Sequence, residues 1–285
     1  MNFKNKKIDF LNELKNILKI KSTILSFRKK RVYHLYNPHH LGDNVFNFIL
    51  FYNIKNYIEN HNIIIYYYAK KEYIKQLSEF ICSKNIILMS LENKPDNSIE
   101  IWINNKFINY FHGVPVIYNK YYINFFNIVL KKLYMNYRLT KFFYEDANLL
   151  ERFENLDNKF KNTDILILNS QPLSDQYSYD KPEWDRYILK INKIFKVVTT
   201  TKVEGVLCTY DKRLTIKDIA ALSINVKIVI AINSGVVPGL LNYYTLTRVK
   251  HFYIFDDRCI YSYPNFENKK NINDITIEEL KRYMN

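Results

Sequence analysis

Glycine and cysteine are scarce in this chain, and long hydrophobic runs are missing from it. Only 5 of the 285 residues are glycine and 3 are cysteine. The cysteines lie far apart, which excludes a disulfide framework and a closely spaced metal-binding motif and predicts a reducing compartment. No apolar run reaches the roughly 18 residues that a membrane-spanning helix needs, and the first residues lack the features of a signal peptide. We therefore expect a soluble, cytoplasmic protein.

Acidic residues are few relative to basic ones. Asp and Glu number 28 against 42 Lys and Arg, so the formal net charge is +14. Such a chain attracts polyanions: nucleic acid, an anionic membrane surface or a phosphorylated substrate. The basic residues are densest over residues 4–31, where apolar residues at helical spacing predict a basic amphipathic helix over 8–26. Nucleic acid is not expected as a partner, because no RNA-recognition, zinc-finger or helix-turn-helix signature accompanies the charge.

Several nucleotide- and metal-binding motifs are absent from the sequence. Neither GxxxxGK[ST] nor GxGxxG occurs, which removes the main support for an ATPase or a dehydrogenase. An Asp-x-Asp motif flanked by apolar strand residues is also missing. We interpret the acidic residues of "YEDAN" (144–148) and "FDD" (255–257) as parts of surface turns. We therefore expect no bound metal and no cofactor.

Apolar runs of strand length alternate with helical segments along the remainder of the chain. Strands are predicted in the first half at "RVYHLYN", "NIIIYYYA", "NIILMS" and "SIEIWIN". The polar stretch 145–162 has no strand, and the pattern restarts at Asp164 with "DILILNS". Such alternation predicts mostly parallel sheets covered by helices. We expect an α/β fold of two Rossmann-like domains that face each other across a cleft, formed by residues 1–155 and 156–285.

The few glycines mark turns. Gly42, in "HHLGDNVF", lies between the first strand and the first helix, and Gly235, in "INSGVVPG", follows a buried strand of the second half. Glycine is needed where φ is positive or where the backbone is pressed against another group, and we expect Gly42 to permit a tight turn. Both turns follow carboxyl ends of strands, where open α/β sheets bind ligands. Asp43 then lies at a helix N-terminus, as an ordinary cap or as a functional carboxylate.

The residues before Gly235 form a candidate phosphate site. Asn233 and Ser234 lie where the strand ends and a helix begins, so a hydroxyl and free backbone N–H groups are available to an anion. An ordinary strand-to-helix turn has the same residues, so both interpretations stay open.

The order of these motifs resembles the GT-B glycosyltransferases, and in particular the ADP-heptose:lipopolysaccharide heptosyltransferase family. That family has a Gly-Asp pair opening the first helix, a Lys-x-Trp-like element opening the second domain, and an Asp/Asn-Ser/Thr-Gly turn late in the chain. The matching stretches here are "LGD" (41–43), Lys181 and Trp184 in "DKPEWDRY", and "NSG" (233–235), over roughly residues 31–245. Pro238 stands where the family usually has His, and Asn233 where it has Asp, so the donor sugar stays open.

The resemblance implies a glycosyltransferase that moves a sugar from a nucleotide-sugar donor to a glycan or lipid-linked acceptor, without a metal and with inversion. It implies that Asp43 is the catalytic base and that His39, His40 and Gly42 belong to the acceptor site. It also implies a donor site that consists of Lys181, Thr209, Asn233, Ser234 and Gly235. Peripheral contact with an anionic membrane face is a further expectation.

Two other classes of protein stay open. A non-catalytic nucleotide- or sugar-binding protein of the same fold would have the same turns, although an intact Asp43 argues against it. A basic nucleic-acid-binding protein would account for the net charge and for the 16% of aromatic residues. The charges of the predicted helix "TIKDIAALSI", Lys217 and Asp218 among them, are expected to be solvated.

Overall fold

A computed structural model describes residues 32–102, 116–173 and 176–284. The amphipathic helix predicted over residues 8–26 and the glycine at position 113 lie outside these residues.

The first half of the chain forms a four-stranded parallel sheet. Its elements are β1 (Val32–Tyr36), α1 (Leu41–Asn60), β2 (Ile64–Ala69), α2 (Ile74–Ser78), β3 (Ile86–Ser90) and β4 (Ile99–Glu100). The strands lie in the order β3-β2-β1-β4. Helix α1 is apolar around much of its circumference and is therefore buried rather than lying on the surface.

A helical segment connects the two halves. It consists of β5 (Val116–Ile117), α3 (Tyr118–Lys132), α4 (Asn148–Glu154) and α5 (Asn158–Lys161). Helices α4 and α5 occupy the polar stretch 145–162, in which no strand was predicted.

The second half forms a six-stranded parallel sheet. Its elements are β6 (Ile165–Leu168), α6 (Lys181–Asn192), β7 (Val197–Thr199), β8 (Leu207–Cys208), α7 (Ile216–Ser223), β9 (Ile228–Ile232), α8 (Val237–Leu240), α9 (Tyr243–Arg248), β10 (His251–Phe255), β11 (Cys259–Ile260), β12 (Phe266–Lys269) and α10 (Ile277–Met284). The strands lie in the order β12-β10-β9-β6-β7-β8. Every residue of β6 and β9 is buried, as central strands covered on both faces require.

The two sheets are separate, but they share a hydrophobic core. That core combines α1 and the first sheet with α7, α8 and one face of β6, β9 and β10. A smaller core lies on the other face of the second sheet, under α6 and α10. Strand β5 pairs with β11, and α8 packs against α1. The turn after β9 is therefore brought to the beginning of α1.

The predicted arrangement of two parallel sheets is confirmed, while the domain boundary between residues 155 and 156 stays a prediction. Strands β8 and β12 were missed, because β8 has two residues and β12 is the half-buried, largely polar edge segment "FENK". The expectation that Lys217 is solvated is wrong. Its side chain is 2% exposed, since α7 packs between the second sheet and the first half.

Candidate functional site

The turn from β1 to α1 is held by buried amide side chains. Asn37 donates through Nδ2 to Oδ1 of Asn47 at 2.7 Å, while its own Oδ1 accepts the backbone N–H of His39 at 3.0 Å. The Tyr67 hydroxyl lies 2.8 Å from Oδ1 of Asn47. Since all of these amides are paired, they position the turn without needing a ligand.

Helix α1 begins directly after His40, and Asp43 lies in its first turn. Oδ2 of Asp43 accepts the backbone N–H of His40 at 3.1 Å, which is a capping interaction. Asn44 supports the same turn, since its Nδ2 donates to the carbonyl oxygen of His40 at 2.9 Å. No described residue donates to the other oxygen of Asp43, Oδ1. Asp43 therefore caps the helix with one oxygen and keeps the other free.

Gly42 is required by a contact between the two halves. Its φ lies outside the left-handed region, since Gly205 alone among the described glycines has a positive φ, of 77°. A Cβ on Gly42 would lie 2.7 Å from the Cα of Gly235 and 3.1 Å from its carbonyl oxygen. The expectation that Gly42 permits a tight turn is therefore replaced by a backbone-to-backbone approach. This approach places the turns after β1 and β9 side by side.

The turn after β9 is anchored by Asn233. Its Nδ2 donates to the carboxylate of Asp256, and its Oδ1 accepts the hydroxyl of Tyr261 at 2.8 Å. Ser234 follows; it is 8% exposed, and its Oγ has no hydrogen-bond partner in the described part of the chain. A buried hydroxyl left unpaired costs free energy, so the Ser234 hydroxyl is available to a ligand.

Asp256 and Arg258 follow the neighbouring strand, β10. The Asp256 carboxylate accepts the backbone N–H groups of Arg258 at 2.8 Å and Cys259 at 3.2 Å, in addition to the Asn233 amide. Burial raises the pKa of Asp256 above its ordinary value, although these donors oppose the shift. The interpretation of "FDD" as a surface turn is wrong for Asp256, which is 7% exposed because its carboxylate folds back onto these donors.

The guanidinium of Arg258 lies between the two halves. Its Nη2 donates to Oε1 of Gln176 at 3.1 Å, and its Nε is buried with no hydrogen-bond partner in the described part of the chain. Gln176 in turn donates through Nε2 to the carbonyl oxygen of Asn233. Within the described ranges, no carboxylate forms an ion pair with Arg258.

These turns enclose a cavity of about 320 Å³ between the two halves, within the size range of small-molecule sites. The side from the first half is aromatic and contains Phe46, Tyr73, Trp102, Tyr118 and Tyr122. The side from the second half is mainly polar and contains Ser170, Gln171, Gln176, Asn233, Ser234, Asp256 and Arg258. We call these two sides the aromatic wall and the polar wall.

Four rings of the aromatic wall, those of Phe46, Trp102, Tyr118 and Tyr122, pack against one another. The ring of Phe46 lies 4.6 Å from that of Tyr122 and 5.7 Å from that of Trp102, measured between centroids. Both pairs are close to parallel, at 18° and 10°. Stacked rings of this kind offer a fixed apolar surface to a ligand.

Asp43 is the carboxylate of the cavity that belongs to the first half. Burial raises the pKa of Asp43 above its ordinary value, and the hydrogen bond from His40 and the nearby side chains of His40, His39 and Arg258 oppose part of that shift. A raised pKa brings a carboxylate closer to the proton affinity that a general base needs at neutral pH.

Residues from both predicted sites meet in this cavity. Those that line it are His40, Gly42, Asp43, Asn233, Ser234 and Gly235. His39 does not line it; its Nε2 lies 3.2 Å from Oε1 of Glu100, at the edge of the first sheet. Thr209 does not line it either, because it is buried just after β8, the edge strand of the second sheet.

Lys181 is also outside the cavity lining. It is the first residue of α6, its side chain is 54% exposed, and its ammonium pairs with Asp185 one turn further along the same helix. The predicted convergence of Lys181 with Ser234 and Gly235 on one anion position is therefore not seen.

Sequence reasoning missed Arg258, Gln176 and the aromatic wall. The chain has 25 Tyr and 19 Phe, so no single aromatic residue stands out. A signal for Arg258 did exist, since it follows β10, and turns after adjacent parallel strands meet at one edge of the sheet. Gln176 lies in a segment without periodicity and gave no signal.

The described residues contain neither a cluster of metal ligands nor a membrane-spanning helix. Across 32–102, 116–173 and 176–284, no three or more His, Cys, Asp or Glu side chains are grouped so that they could hold a metal ion. In those ranges no helix is both long enough and apolar enough to cross a bilayer.

No protein-family model and no curated protein sequence matches the chain. Solved structures do match it. Heptosyltransferase WaaC of E. coli, solved with ADP-2-deoxy-2-fluoro heptose, aligns with a TM-score of 0.56 at 9% identity, over 89% of this chain and 98% of that one. ADP-heptose LPS heptosyltransferase II of E. coli aligns with a TM-score of 0.52 at 11% identity and the same coverage. The dodecameric iron-containing glycosyltransferase TibC of enterotoxigenic E. coli gives 0.51 at 11% identity, over 84% of this chain and 62% of that one.

At 9–11% identity these likenesses concern the fold alone. They confirm the predicted α/β fold of the GT-B type and, at the level of the fold, the predicted resemblance to heptosyltransferases. In that fold, Asp43 from the first half and Ser234 from the second half line one cavity.

Proposed function

We propose that this chain is a glycosyltransferase that moves a sugar from a nucleotide-sugar donor to a hydroxyl of a glycan or lipid-linked saccharide. The proposal rests on one observation: the Asp43 carboxylate and the Ser234–Gly235 turn line the same cavity, in the fold of heptosyltransferases. The ADP-heptose named for those neighbours supports a nucleotide sugar as donor. Asn233 and Pro238 differ from the family's pattern, so a hexose and a heptose are both candidates for the sugar.

Asp43 is proposed as the base of an inverting transfer. The acceptor oxygen forms a bond to the anomeric carbon while the bond from that carbon to the diphosphate breaks. The electron pair of the broken bond leaves with the nucleoside diphosphate, and the hydroxyl proton passes to Oδ1 of Asp43. Attack from the face opposite the leaving group inverts the anomeric centre. The raised pKa of Asp43 supports this role, because a more basic carboxylate accepts the proton more readily.

The two walls suit the two substrates. We place the acceptor on the aromatic wall beside His40 and Gly42, because stacked rings accommodate the apolar face of a saccharide. We place the donor on the polar wall, where the unpaired Ser234 hydroxyl donates to a diphosphate oxygen. The site between the walls is then the point of transfer.

We propose that the transfer needs no metal ion. Both carboxylates of the cavity already bind amide donors: Asp43 through one oxygen at the start of α1, and Asp256 through Asn233 and two backbone N–H groups. Cavity residues that donate hydrogen bonds would then stabilise the charge of the leaving diphosphate. Turnover that survives treatment with EDTA supports this part, and a loss that added Mg²⁺ restores contradicts it.

We also propose a cytoplasmic protein in peripheral contact with an anionic membrane through the basic residues 4–31. Deletion of residues 1–27 should then reduce co-sedimentation with anionic vesicles at low salt, while neutral vesicles retain little of either form. Equal recovery of the full chain on neutral and anionic vesicles contradicts the contact.

A screen of nucleotide sugars tests the central proposal. A donor that binds the native state should raise the melting temperature, and the donor with the largest shift is then incubated with saccharide acceptors. We expect release of the nucleoside diphosphate together with a glycosylated product detected by mass. Binding without transfer to any acceptor would favour a non-catalytic protein of the same fold. A shift with oligonucleotides but with no nucleotide sugar would favour nucleic-acid binding.

A further inference from the structure

We propose that Arg258 is the cation that binds the diphosphate of the donor, at the place where the family resemblance put Lys181. This inference rests on the proposed function, since the diphosphate belongs to the nucleotide sugar. Among the described residues that line the cavity, Arg258 is the one whose side chain carries a permanent positive charge.

The guanidinium of Arg258 has unused hydrogen-bonding capacity. Of its N–H donors, Nη2 binds Gln176 at 3.1 Å, and Nε is buried with no hydrogen-bond partner among the residues that the structure describes. Asp256 also lines the cavity and lies two residues before Arg258. Its carboxylate accepts a hydrogen bond from the backbone N–H of Arg258 and none from the guanidinium. Asp43 and Asp256 lie near enough for the charge of Arg258 to lower their pKa values, but across the described ranges no carboxylate comes within ion-pair distance of the guanidinium. A half-buried cation that lacks a direct ion pair is stabilised when a ligand supplies negative charge at contact distance.

Gln176 ties the guanidinium to the turn after β9. It accepts from Arg258 through Oε1 and donates through Nε2 to the carbonyl oxygen of Asn233. Ser234 is the next residue, with its own unpaired hydroxyl on the same cavity. Two unsatisfied donors, one charged and one neutral, are thus held on a single wall.

Lys181 cannot take this role without a rearrangement. Its ammonium already pairs with Asp185, and both residues belong to the exposed beginning of α6. Arg258 is also chemically better suited, because a planar guanidinium presents paired N–H donors that match two phosphate oxygens at once. In a partly buried site this charge is screened less than at the surface, so it can stabilise the negative charge that develops on the leaving group.

Binding of nucleoside diphosphates alone tests the inference without relying on turnover. The affinities of ADP, GDP, UDP and CDP are measured by calorimetry for the full chain and for Arg258→Gln, Arg258→Lys and Lys181→Ala. Arg248→Gln is the matched control, because it removes the same charge from an exposed arginine that stacks on Tyr244. We expect Arg258→Gln to weaken the preferred diphosphate by about 10- to 100-fold, the scale of a hydrogen bond to a charged group.

The other variants separate charge from structure. Arg258→Lys should recover part of the affinity, while Lys181→Ala and Arg248→Gln should stay within about twofold of the wild type, since neither residue lines the cavity. The free nucleoside should bind wild type and Arg258→Gln equally, which a collapsed turn would not allow. Melting temperatures verify that each variant is folded.

Failure of the inference and failure of the proposed function give different results. If the wild type binds a diphosphate and Arg258→Gln binds it equally well, the role of Arg258 is overturned while the proposed function stands. If Lys181→Ala alone loses affinity, Lys181 is the phosphate ligand and Arg258 is not. If the wild type binds none of the four diphosphates, the proposed function itself fails and the inference falls with it.

Discussion

Two groups of charged side chains lie between the halves of this molecule, and they differ in whether the charges have partners. In the cavity, neither Asp43 nor Arg258 forms an ion pair with any residue that the structure describes. In the second group, built around Lys217 of α7, every charge is matched. We call this second group the Lys217 cluster; it consists of Tyr52, Glu79, Asp146, Arg152, Lys217 and Asp218.

The ammonium of Lys217 is enclosed on all sides by partners. It lies 2.5 Å from Oδ2 of Asp146 and 2.9 Å from the hydroxyl of Tyr52, and it stands over the rings of Tyr52, Phe80 and Tyr144 at 4.5–5.0 Å. Burial lowers the pKa of Lys217, and Asp146 opposes that shift. Burial also acts to raise the pKa of Asp146, but the charge and hydrogen bond of Lys217 outweigh it, so this pKa lies below its ordinary value.

Arg152 of α4 extends the cluster to three parts of the fold. Its Nη2 lies 3.1 Å from Oε2 of Glu79, in the first half, and its Nε lies 2.6 Å from Oδ1 of Asp218, on α7. The hydroxyl of Thr215 donates to the same Glu79 oxygen at 2.6 Å. The connecting helix therefore joins the two halves through paired charges.

This difference in pairing distinguishes charges that stabilise the fold from charges that are available to a ligand. A desolvated charge needs a partner, and the Lys217 cluster finds its partners within the chain, so it stabilises the contact between the halves. In the cavity, Ser234 Oγ and Arg258 Nε are buried without a hydrogen-bond partner among the described residues, and such groups concentrate at functional sites. We infer that the cluster holds the halves in the arrangement in which Gly42 and Gly235 meet.

The largest effect is expected on turnover, from Asp43→Asn. Asparagine has a similar size and still accepts the N–H of His40, but it cannot take up the proton of the acceptor. Turnover should therefore fall by roughly 100- to 10,000-fold, the range of general base catalysis, while the melting temperature hardly changes. Asp43→Ala is the control for capping and should cost about 1 kcal/mol of unfolding free energy. A fully active Asp43→Asn enzyme would show that Asp43 is only a cap, and His40 would be the next candidate.

We expect the opposite result at Lys217, where a substitution should lower the unfolding free energy rather than the rate of turnover. Lys217→Met leaves the Asp146 carboxylate buried without its counterion, so the unfolding free energy in urea should fall by about 3–5 kcal/mol. Adding Asp146→Asn should recover part of this loss, because no unpaired charge then remains. Arg258→Gln, on the cavity side, should change stability by less than about 1 kcal/mol. If Lys217→Met costs no more than Arg258→Gln, the distinction between the two groups is wrong.

The two turns that border the cavity were predictable from the sequence, whereas Arg258, Gln176 and the aromatic wall were not. Strands such as "VKIVIAI" follow from local apolar patterns, and scarce glycines mark the two turns. Carboxyl ends of parallel strands gather at one edge of a sheet, so Asp43 and Ser234 could be identified without coordinates. The reason for Gly42 could not, because its contact with Gly235 joins residues that are distant in the sequence.

The pairing of charges could not be predicted, for the same reason. Lys217 was expected in solvent because its helix reads as amphipathic, but its hydroxyl partner, Tyr52, lies 165 residues away along the chain. Lys181 was expected in the donor site because of its spacing to Trp184. Whether its side chain reaches the cavity depends on the path of residues 169–180, which have no periodicity that could reveal it.

Alanine substitutions at Gly42 and Gly235 should disturb the contact between the two halves to different extents. A Cβ at Gly42 would lie 2.7 Å from the Cα of Gly235, whereas a Cβ at Gly235 would have its nearest contact at an ordinary 3.5 Å. Gly42→Ala should therefore lower the unfolding free energy by about 1–3 kcal/mol and weaken donor binding, since the two turns must move apart. Gly235→Ala is the matched control for stability, and we expect it to change the unfolding free energy little because its added Cβ meets no close contact. Alanine is also the better helix former, so a stabilised Gly42→Ala protein would contradict the close approach of the two turns.

The smallest effect is expected in the pH dependence of kcat/KM. Burial raises the pKa of Asp43, and His40, His39 and Arg258 lower it in part. Because the base must be deprotonated, kcat/KM should fall as the pH drops through this raised pKa, above the value of about 3.9 for an exposed aspartate. Arg258→Gln removes one of the charges that lower the pKa, so its acid limb should lie at higher pH than that of the wild type. Arg248→Gln, whose charge lies outside the cavity lining, should leave the limb in place.

The raised pKa of Asp43 also predicts the direction in which the unfolding free energy changes with pH. Since the folded-state pKa of Asp43 lies above the unfolded value, its contribution to stability is present below the unfolded pKa and is lost as the pH rises through the folded pKa. Asp43→Asn has no such proton, so the difference in unfolding free energy should shift in favour of this variant as the pH increases. The shift is measured by urea unfolding across acidic to neutral pH. If the acid limb of Arg258→Gln lies at or below the wild-type pH, the charge of Arg258 does not lower the pKa of Asp43. If the stability difference moves in the opposite direction, the pKa of Asp43 is not raised by burial.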